Sequence, residues 1–306
     1  MSCVTCDPKS RMRIISCINK IFGKNKTFSQ QKSVFLPKKN PIMLYYVLLF
    51  GIAILPVIIL MIFIYRQDKY QKEPIKSLAK AFIGGMIAIP LDILIVTGIH
   101  LLLGKTTLAN TVFFNAFLEA GIPEEFSKFL IFMIFIWSDK NFDEYFDGIV
   151  YASFIGLGFA CVENIEYVFS YGFQTGVVRA LLSVPGHFLF GVVLGYFLSL
   201  AKFHPEKRSK YLWSGLLLAM LAHGLFDWLL MIANVMPLVG GIIYIVFIWG
   251  DIKLWKLGLK YINKQQENSR RQAESVAFGT DEQIKFPEVD YDPEYRQIDW
   301  NAGNKR

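Results

Sequence analysis

The amino-acid sequence predicts an all-α, polytopic membrane protein with seven or eight transmembrane helices. Its 306 residues are 54% hydrophobic and include 27 phenylalanines, whereas an ordinary soluble domain is about 45–50% apolar on a broader count that includes glycine. The apolar residues are also clustered, since no charged residue lies between Pro41 and Tyr65. That stretch exceeds the ~20 residues that cross a bilayer as a helix. Lipid offers the backbone no hydrogen-bond partner, so a spanning stretch of this kind is expected to be helical.

Further apolar stretches follow along the chain. They are Ala81–Leu103, Leu108–Trp137, Asp147–Tyr171, Thr175–Ala201, Leu212–Ala233 and Leu238–Trp249 with its flanks. The second of these is long enough to cross once, or to cross twice if it breaks at Gly121-Ile122-Pro123. This choice decides between seven and eight helices.

Charge divides the chain into three parts: a basic N-terminal tail (1–40), a transmembrane domain (41–258) and a polar, flexible C-terminal tail (259–306). Within that tail, Lys264–Gln272 is expected to be disordered or a frayed helix. The first forty residues hold nine Lys/Arg and one acid, Asp7. The net charge of +7 does not indicate nucleic acid, because the positive charges flank the apolar stretches, where anionic lipid and the positive-inside rule explain them.

Orientation is left open by the charges in the loops. Loops 66–80 and 202–211 are both strongly basic. If Leu108–Trp137 crosses once, these loops and the C-terminal tail share one side, and the N-terminal tail lies opposite. If it crosses twice, both tails share a side and loop 66–80 becomes the exception. The sequence favours a cytoplasmic C-terminal tail.

Costly polar side chains occur within the apolar stretches. Without partners each costs several kcal/mol in hydrocarbon, so they are expected to face a protein interior or a water-filled cavity, and they are candidates for function. They are Asp92, Glu119, Glu124, Glu125, Lys128, Glu163, Asn164, Glu166, Arg179, His187, His223 and Asp227.

Glu124 and Glu125 are consecutive, so on a helix they diverge by about 100° and cannot point in one direction. One can face a reacting centre while the other orients a partner. A structural alternative is an acidic helix start after Pro123, with Glu124 paired to Lys128 at i+4.

Three further polar clusters lie in later stretches. Glu163 and Asn164 follow Gly156 and Gly158, which permit close helix approach. His187 follows the pair Pro185-Gly186, which is expected to break its helix and let the ring project into a cavity. His223 and Asp227 are four residues apart, so they share one helix face and can form a tautomer-fixing pair or bind metal. The structural alternatives are an interhelical clamp through Asn164 and an isolated His223–Asp227 pair.

Four costly clusters in neighbouring segments predict one shared site, a four-segment catalytic core. Such a set can activate water in two ways. A glutamate can act as general base while histidines stabilise the oxyanion, with no cofactor. Alternatively, His187 and His223 with a carboxylate can hold zinc. Neither HExxH nor a Gly-x-Ser-x-Gly elbow is present.

The chain resembles the PrsW family of intramembrane proteases, distant relatives of the CAAX-prenyl-endopeptidase superfamily. The ordered set of motifs, rather than any single one, carries the resemblance. In order they are Asp68-Lys-Tyr-Gln-Lys-Glu73-Pro74, Glu124-Glu125-Phe-Ser-Lys128, Phe142-Asp143-Glu144-Tyr145-Phe146-Asp147-Gly148, Gly158-Phe159-Ala160-Cys-Val-Glu163-Asn164, Arg179-Ala180-Leu181 to His187, and His223-Gly224-Leu-Phe-Asp227.

The resemblance implies an intramembrane endopeptidase in a bacterial plasma membrane, with residues 41–258 as its protease domain. It implies catalytic roles for Glu124, Glu125, His187 and His223, and we expect Glu163, Asn164, Asp227 and Lys128 to support them. The implied partners are the bilayer and a membrane-anchored protein substrate, such as an anti-sigma factor. Zinc at His187 and His223, or glutamate catalysis without metal, both remain open.

Two functions of other classes compete with the protease. An ion- or proton-coupled transporter would use the same Glu and His residues as a relay. A non-catalytic membrane sensor would bind its partner through the aromatic Phe286–Trp300 segment, and truncation after Lys264 would abolish its function.

Overall fold

The computed structural model describes residues 41–103, 111–236 and 238–278, and these residues contain no β-strand. The predicted all-α class is confirmed over these residues. The basic N-terminal tail (1–40) and the Phe286–Trp300 segment lie outside them.

The helices follow one another with short connections. They are α1 (Pro41–Gln67), α2 (Ile75–Leu103), α3 (Val112–Ala116), a π-helical turn (Phe117–Gly121), α4 (Ile122–Phe135), α5 (Asp147–Tyr171), α6 (Phe173–Leu181), α7 (Ser183–Phe203), a 3₁₀ turn (Pro205–Lys207), α8 (Arg208–Val235) and α9 (Gly240–Phe278).

Five helical segments in the described residues are long and apolar enough to cross a membrane. They are Ile42–Gln67, Ile75–Leu103, Asp147–Tyr171, Phe173–Phe203 and Pro205–Val235. The predicted break at 121–123 is absent, because helix continues from Val112 to Phe135 through the π turn. The described helix therefore gives no support to two crossings within this stretch.

The centre of the bundle is formed by α5 and α7, which are buried along most of their length. The two helices approach each other closely at Gly156, where a Cβ would lie 2.7 Å from the carbonyl oxygen of His187. Small residues permit such contacts between membrane helices. The predicted role of Gly156 in close packing is confirmed, and it fixes the backbone at His187.

One end of the bundle is closed by the last part of α9. Gln266 donates to the carbonyl of Gln67 (2.6 Å), Gln265 to that of Tyr196 (3.0 Å), and Ser269 accepts from the backbone N–H of Phe146 (2.9 Å). The C-terminal parts of α1 and α9 and the start of α5 therefore lie together.

The flexibility predicted for the C-terminal tail is absent from its first part, because residues 259–278 are helical. The segment Lys264–Gln272, which its polar composition suggested was frayed, is helical, and Gln265, Asn268 and Ser269 are buried. Its amide and hydroxyl groups bond backbone groups of Gln67, Phe146 and Tyr196. Polarity here reflects contact with the backbone of other segments rather than with solvent.

Candidate active site

The paired glutamates lie just after the π turn, at the start of α4. A π turn of this kind often marks a functional site. Pro123 lies in the first turn of α4, directly after the π turn. Gly121 brings this turn against α8, since a Cβ there would lie 2.6 Å from the backbone nitrogen of Gly224. Glu124 and Glu125 are both buried.

Lys128 is the buried cation nearest these glutamates. Its Nζ lies 2.7 Å from Oε1 of Glu125 and 3.5 Å from Oε2 of Glu124. The ammonium also lies 4.0 Å from the ring centroid of Phe159, a cation–π distance. Burial of two carboxylates is tolerable here because the ammonium compensates them.

His223 from α8 faces both glutamates. Its Nδ1 is 2.9 Å from Oε1 of Glu125, while its Nε2 is 3.9 Å from Oε2 of Glu124 and 3.4 Å from Oδ2 of Asp227. The ring stacks on Phe190 at 4.6 Å between centroids. One ring nitrogen of His223 is thus held by Glu125, and the other faces two carboxylates.

His187 lies in the first turns of α7. The chain breaks at Leu182, where α6 ends, and not at the Pro-Gly pair that the sequence indicated; Pro185 and Gly186 lie within the helix. Nε2 of His187 is 2.8 Å from Oε2 of Glu163, and Nδ1 is 3.1 Å from Nζ of Lys128. The rings of His187 and His223 are 5.1 Å apart, edge to face.

Three buried side chains have the composition and spacing of a metal-binding group. One ligand atom from each of Glu124, His187 and His223 lies within 4.8 Å of the others. Two imidazoles and one carboxylate form a known ligand set of catalytic zinc. The sequence predicted the two histidines for this role but left the carboxylate undecided.

Two charged residues without a predicted catalytic or supporting role contribute to the cluster. Arg179 of α6 contacts Glu163 and Asn164, and Asp92 of α2 is within electrostatic range of Glu124. In the sequence, the only sign that they join the cluster is that each is a charged residue within an apolar stretch. Asn164 does not contact the glutamates of α4; it donates to the carbonyl of Ala53 in α1.

Glu119 lies apart from the glutamates of α4. It forms its own pair with His100, at 2.8 Å between Oε1 and Nε2.

The motifs at 68–74 and 142–148 also lie away from the histidines, at the end of the bundle closed by α9. Tyr151 donates to Glu73 there, and Asp147 Oδ2 accepts from the backbone N–H of Glu144 (2.7 Å). Burial, with neighbouring carboxylates, raises the pKa of Glu73 and that of Glu144 to about 8 each. These motifs join loops to α5 and do not line the histidine site.

Comparison with known proteins shows the family of the chain. A family model described as PrsW family intramembrane metalloprotease matches residues 73–250. This chain belongs to the PrsW family. Curated relatives named Protease PrsW include one from Geobacillus kaustophilus, 32% identical over 71% of this chain and 95% of its own, and one from Clostridioides difficile, 34% identical over 73% and 93%. A third, from Bacillus subtilis, is 38% identical over 59% of this chain and 80% of its own. No solved structure matches the chain significantly.

Family and fold together make this PrsW member an intramembrane protease and a multi-pass integral membrane protein. The predicted family, enzyme class and location in a membrane are confirmed.

Proposed function

We propose that this protein is a zinc-dependent endopeptidase that cleaves a membrane-anchored protein, using a site built by α4, α5, α7 and α8. The observation that carries the proposal is the buried set of Glu124, His187 and His223, whose ligand atoms lie within 4.8 Å of one another. Burying two imidazoles beside ionisable carboxylates is costly in a membrane, and a shared function accounts for that cost.

The donor set suits zinc in type and number. Glu163 engages one nitrogen of His187 and Glu125 engages one nitrogen of His223, at 2.8 and 2.9 Å. Carboxylate–histidine pairs of this kind orient metal ligands. When bound, zinc would polarise the scissile carbonyl and promote ionisation of water. Lys128 lies 3.1 Å from Nδ1 of His187, so its ammonium must turn towards Glu125 for that nitrogen to bind a cation.

The other charged side chains orient the histidines or transfer protons. Glu125 and Lys128 hold each other at 2.7 Å, which leaves Glu125 to orient His223. Asp227 is the carboxylate most open to water at His223, with its side chain 23% exposed. We assign Asp227 to accept a proton from the attacking water.

A single crossing of residues 112–135 supports seven crossings in all, with α9 as the seventh. Loops 66–80, 136–146 and 202–211 then share one side. Two contacts support this arrangement: Lys80 pairs with Asp139, and Lys202 donates to the carbonyl of Trp137 at 2.7 Å. Because loops 66–80 and 202–211 are basic, we place all three loops and the end of α9 in the cytoplasm and the N-terminal tail opposite.

The depth of the site follows from helix geometry. Glu124 and His223 are each twelve residues from the non-cytoplasmic ends of their helical stretches, at Val112 and Val235, which corresponds to about 18 Å at 1.5 Å per residue. Glu163 is eight residues from the end of α5, or about 12 Å. We therefore expect water to enter from the non-cytoplasmic side, and the scissile bond to lie within the bilayer or near that surface.

The first test compares the N-termini of membrane proteins, by mass spectrometry, in cells expressing wild type or Glu124→Gln at matched levels. We expect new termini that require Glu124, and these would identify the substrate, including whether it is an anti-sigma factor. Absence of any difference would contradict cleavage of membrane-anchored proteins in those cells. Proton flux in liposomes that depends on Glu124 would then favour the relay.

Zinc is tested separately on purified protein. We expect His187→Ala and His223→Ala to lose both bound zinc and proteolysis, while His204→Ala, a histidine outside the site, retains both. Proteolysis by metal-free protein in a strong chelator would exclude zinc and leave glutamate catalysis in the same cluster.

A further inference from the structure

Arg179 is a buried arginine to which the proposed chemistry assigns no role. It lies in α6, a nine-residue helix that begins after Gly172 (φ 87°) and ends at Leu182. Its side chain is only 10% exposed. A guanidinium cannot lose its proton under ordinary conditions, so burial keeps a full charge out of water and must be compensated.

Compensation comes from three side chains of α5. One terminal nitrogen of Arg179 lies 2.9 Å from Oε2 of Glu163, and Nε donates to Oδ1 of Asn164 at 3.0 Å. The guanidinium also lies 4.1 Å from the ring centroid of Tyr167. Asn164 in turn donates to the carbonyl of Ala53 at 2.7 Å, which anchors the group to α1. The position of the guanidinium is therefore fixed from several directions.

The oxygen of Glu163 that faces Arg179 is also the one that faces His187. Oε2 lies 2.8 Å from Nε2 of His187. A glutamate side chain can rotate about three bonds and can present either carboxylate oxygen unless something restrains it. With Arg179 in place, both the carboxylate and the imidazole that it engages have one preferred position.

We propose that Arg179 is a positioning residue: it holds the Glu163 carboxylate so that His187 presents Nδ1 to the site. Arg179 itself does not reach the reacting atoms. Because the role of His187 belongs to the proposed hydrolysis, this inference rests on the proposed function.

A purely structural role for Arg179 predicts a different geometry. The α6 helix already packs on α1 at Gly176, where a Cβ would lie 2.7 Å from Ile52. An apolar side chain would anchor the helix at lower electrostatic cost. The contact of Arg179 with the same oxygen that engages His187 is what a positioning role requires and what anchoring does not.

The test is a double-mutant cycle of Arg179→Gln, Glu163→Gln and the double variant, with Arg208→Gln as the matched control. Arg208 is exposed at the start of α8, in the proposed cytoplasmic loop. We measure kcat, KM and zinc affinity by chelator competition, together with thermal unfolding. We expect Arg179→Gln to lower kcat and zinc affinity about 10- to 100-fold, the range for residues that orient metal ligands. KM should stay within about twofold.

The cycle separates positioning from anchoring. If Arg179 acts through Glu163, its removal in the Glu163→Gln background should change kcat less than about twofold. Arg179→Lys, which retains a charge but not the fork, should recover part of the loss. Equal losses in both backgrounds, or a lower unfolding temperature with unchanged kcat, would overturn the proposal.

A further measurement, the ring ¹⁵N spectrum of His187, depends neither on zinc nor on any substrate. The chain has four histidines, so ring ¹⁵N spectra can be assigned with a His187→Gln variant. We expect the His187 ring signals to shift or double in Arg179→Gln and to stay unchanged in Arg208→Gln. If wild type neither cleaves nor binds zinc, the proposed function fails, while unchanged His187 signals in Arg179→Gln would refute the positioning role in either case.

Discussion

Removing the last turns of α9 should destabilise the protein strongly. A chain ending at Lys264 loses four hydrogen bonds that a chain ending at Phe278 retains. They join Gln265 to Tyr196, Gln266 to Gln67, Ser269 to Phe146, and Gln272 to Asp143. At about 1 kcal/mol each, they contribute about 4 kcal/mol to the free energy of unfolding. A domain of this size shifts about 2–4 °C per kcal/mol, so we expect the unfolding temperature to fall by about 8–16 °C.

The assay is tryptophan fluorescence during heating of both chains, purified in the same detergent. Ending the control at Phe278 removes only residues outside the described helix, so the two chains differ in the packed segment alone. Equal unfolding temperatures would refute the role assigned to these hydrogen bonds. Both chains lack the Phe286–Trp300 segment, so the sensor hypothesis predicts the same loss of function in each.

Three further predictions concern other parts of the molecule. Burial raises the pKa of Glu73 to about 8, so its contribution to stability is greatest at low pH and is lost as the pH rises from about 4.5 to 8. Glu73→Gln should therefore flatten the pH dependence of the unfolding temperature. An unchanged profile would contradict the raised pKa. Gly156→Ala should lower kcat at least tenfold, because a Cβ would lie 2.7 Å from the carbonyl oxygen of His187. Gly98→Ala is the control and should leave kcat unchanged, because no atom lies within 4 Å of a Cβ there. Similar activities of the two variants would refute the close approach. Lys128→Met should destabilise the fold by about 3–5 kcal/mol, because it leaves buried carboxylates uncompensated. Adding Glu125→Gln should restore part of the lost stability. A double variant that unfolds at a still lower temperature than Lys128→Met would contradict the pairing.

Much of the site was predictable from residue type and spacing. Glu124 and Glu125 diverge on one helix as their adjacency requires, and one faces His187 while the other holds His223. His223 and Asp227 share a face of α8, as their spacing predicted. These predictions succeeded because helix geometry is the same at every position of a membrane-spanning segment, and because ionisable groups in hydrocarbon are too costly to be incidental.

Local pattern failed where contacts between distant segments decide the conformation. The Gly-Ile-Pro sequence at 121–123 suggested a break, yet the chain forms a π turn there because Gly121 packs on Gly224. Polarity suggested a frayed segment after residue 259, yet the amides of α9 bond the ends of other helices.

The sequence by itself determined that the chain is helical, that it spans a membrane several times, and which side chains are costly to place in hydrocarbon. Those conclusions depend on the transfer of residues from water to hydrocarbon, which is a property of each segment alone. Only the tertiary structure decided which carboxylate joins the two histidines, which nitrogen each ring presents, and that Arg179 shares an oxygen with His187. Those depend on distances of a few ångströms between segments far apart in the chain, and helix periodicity carries no information about them.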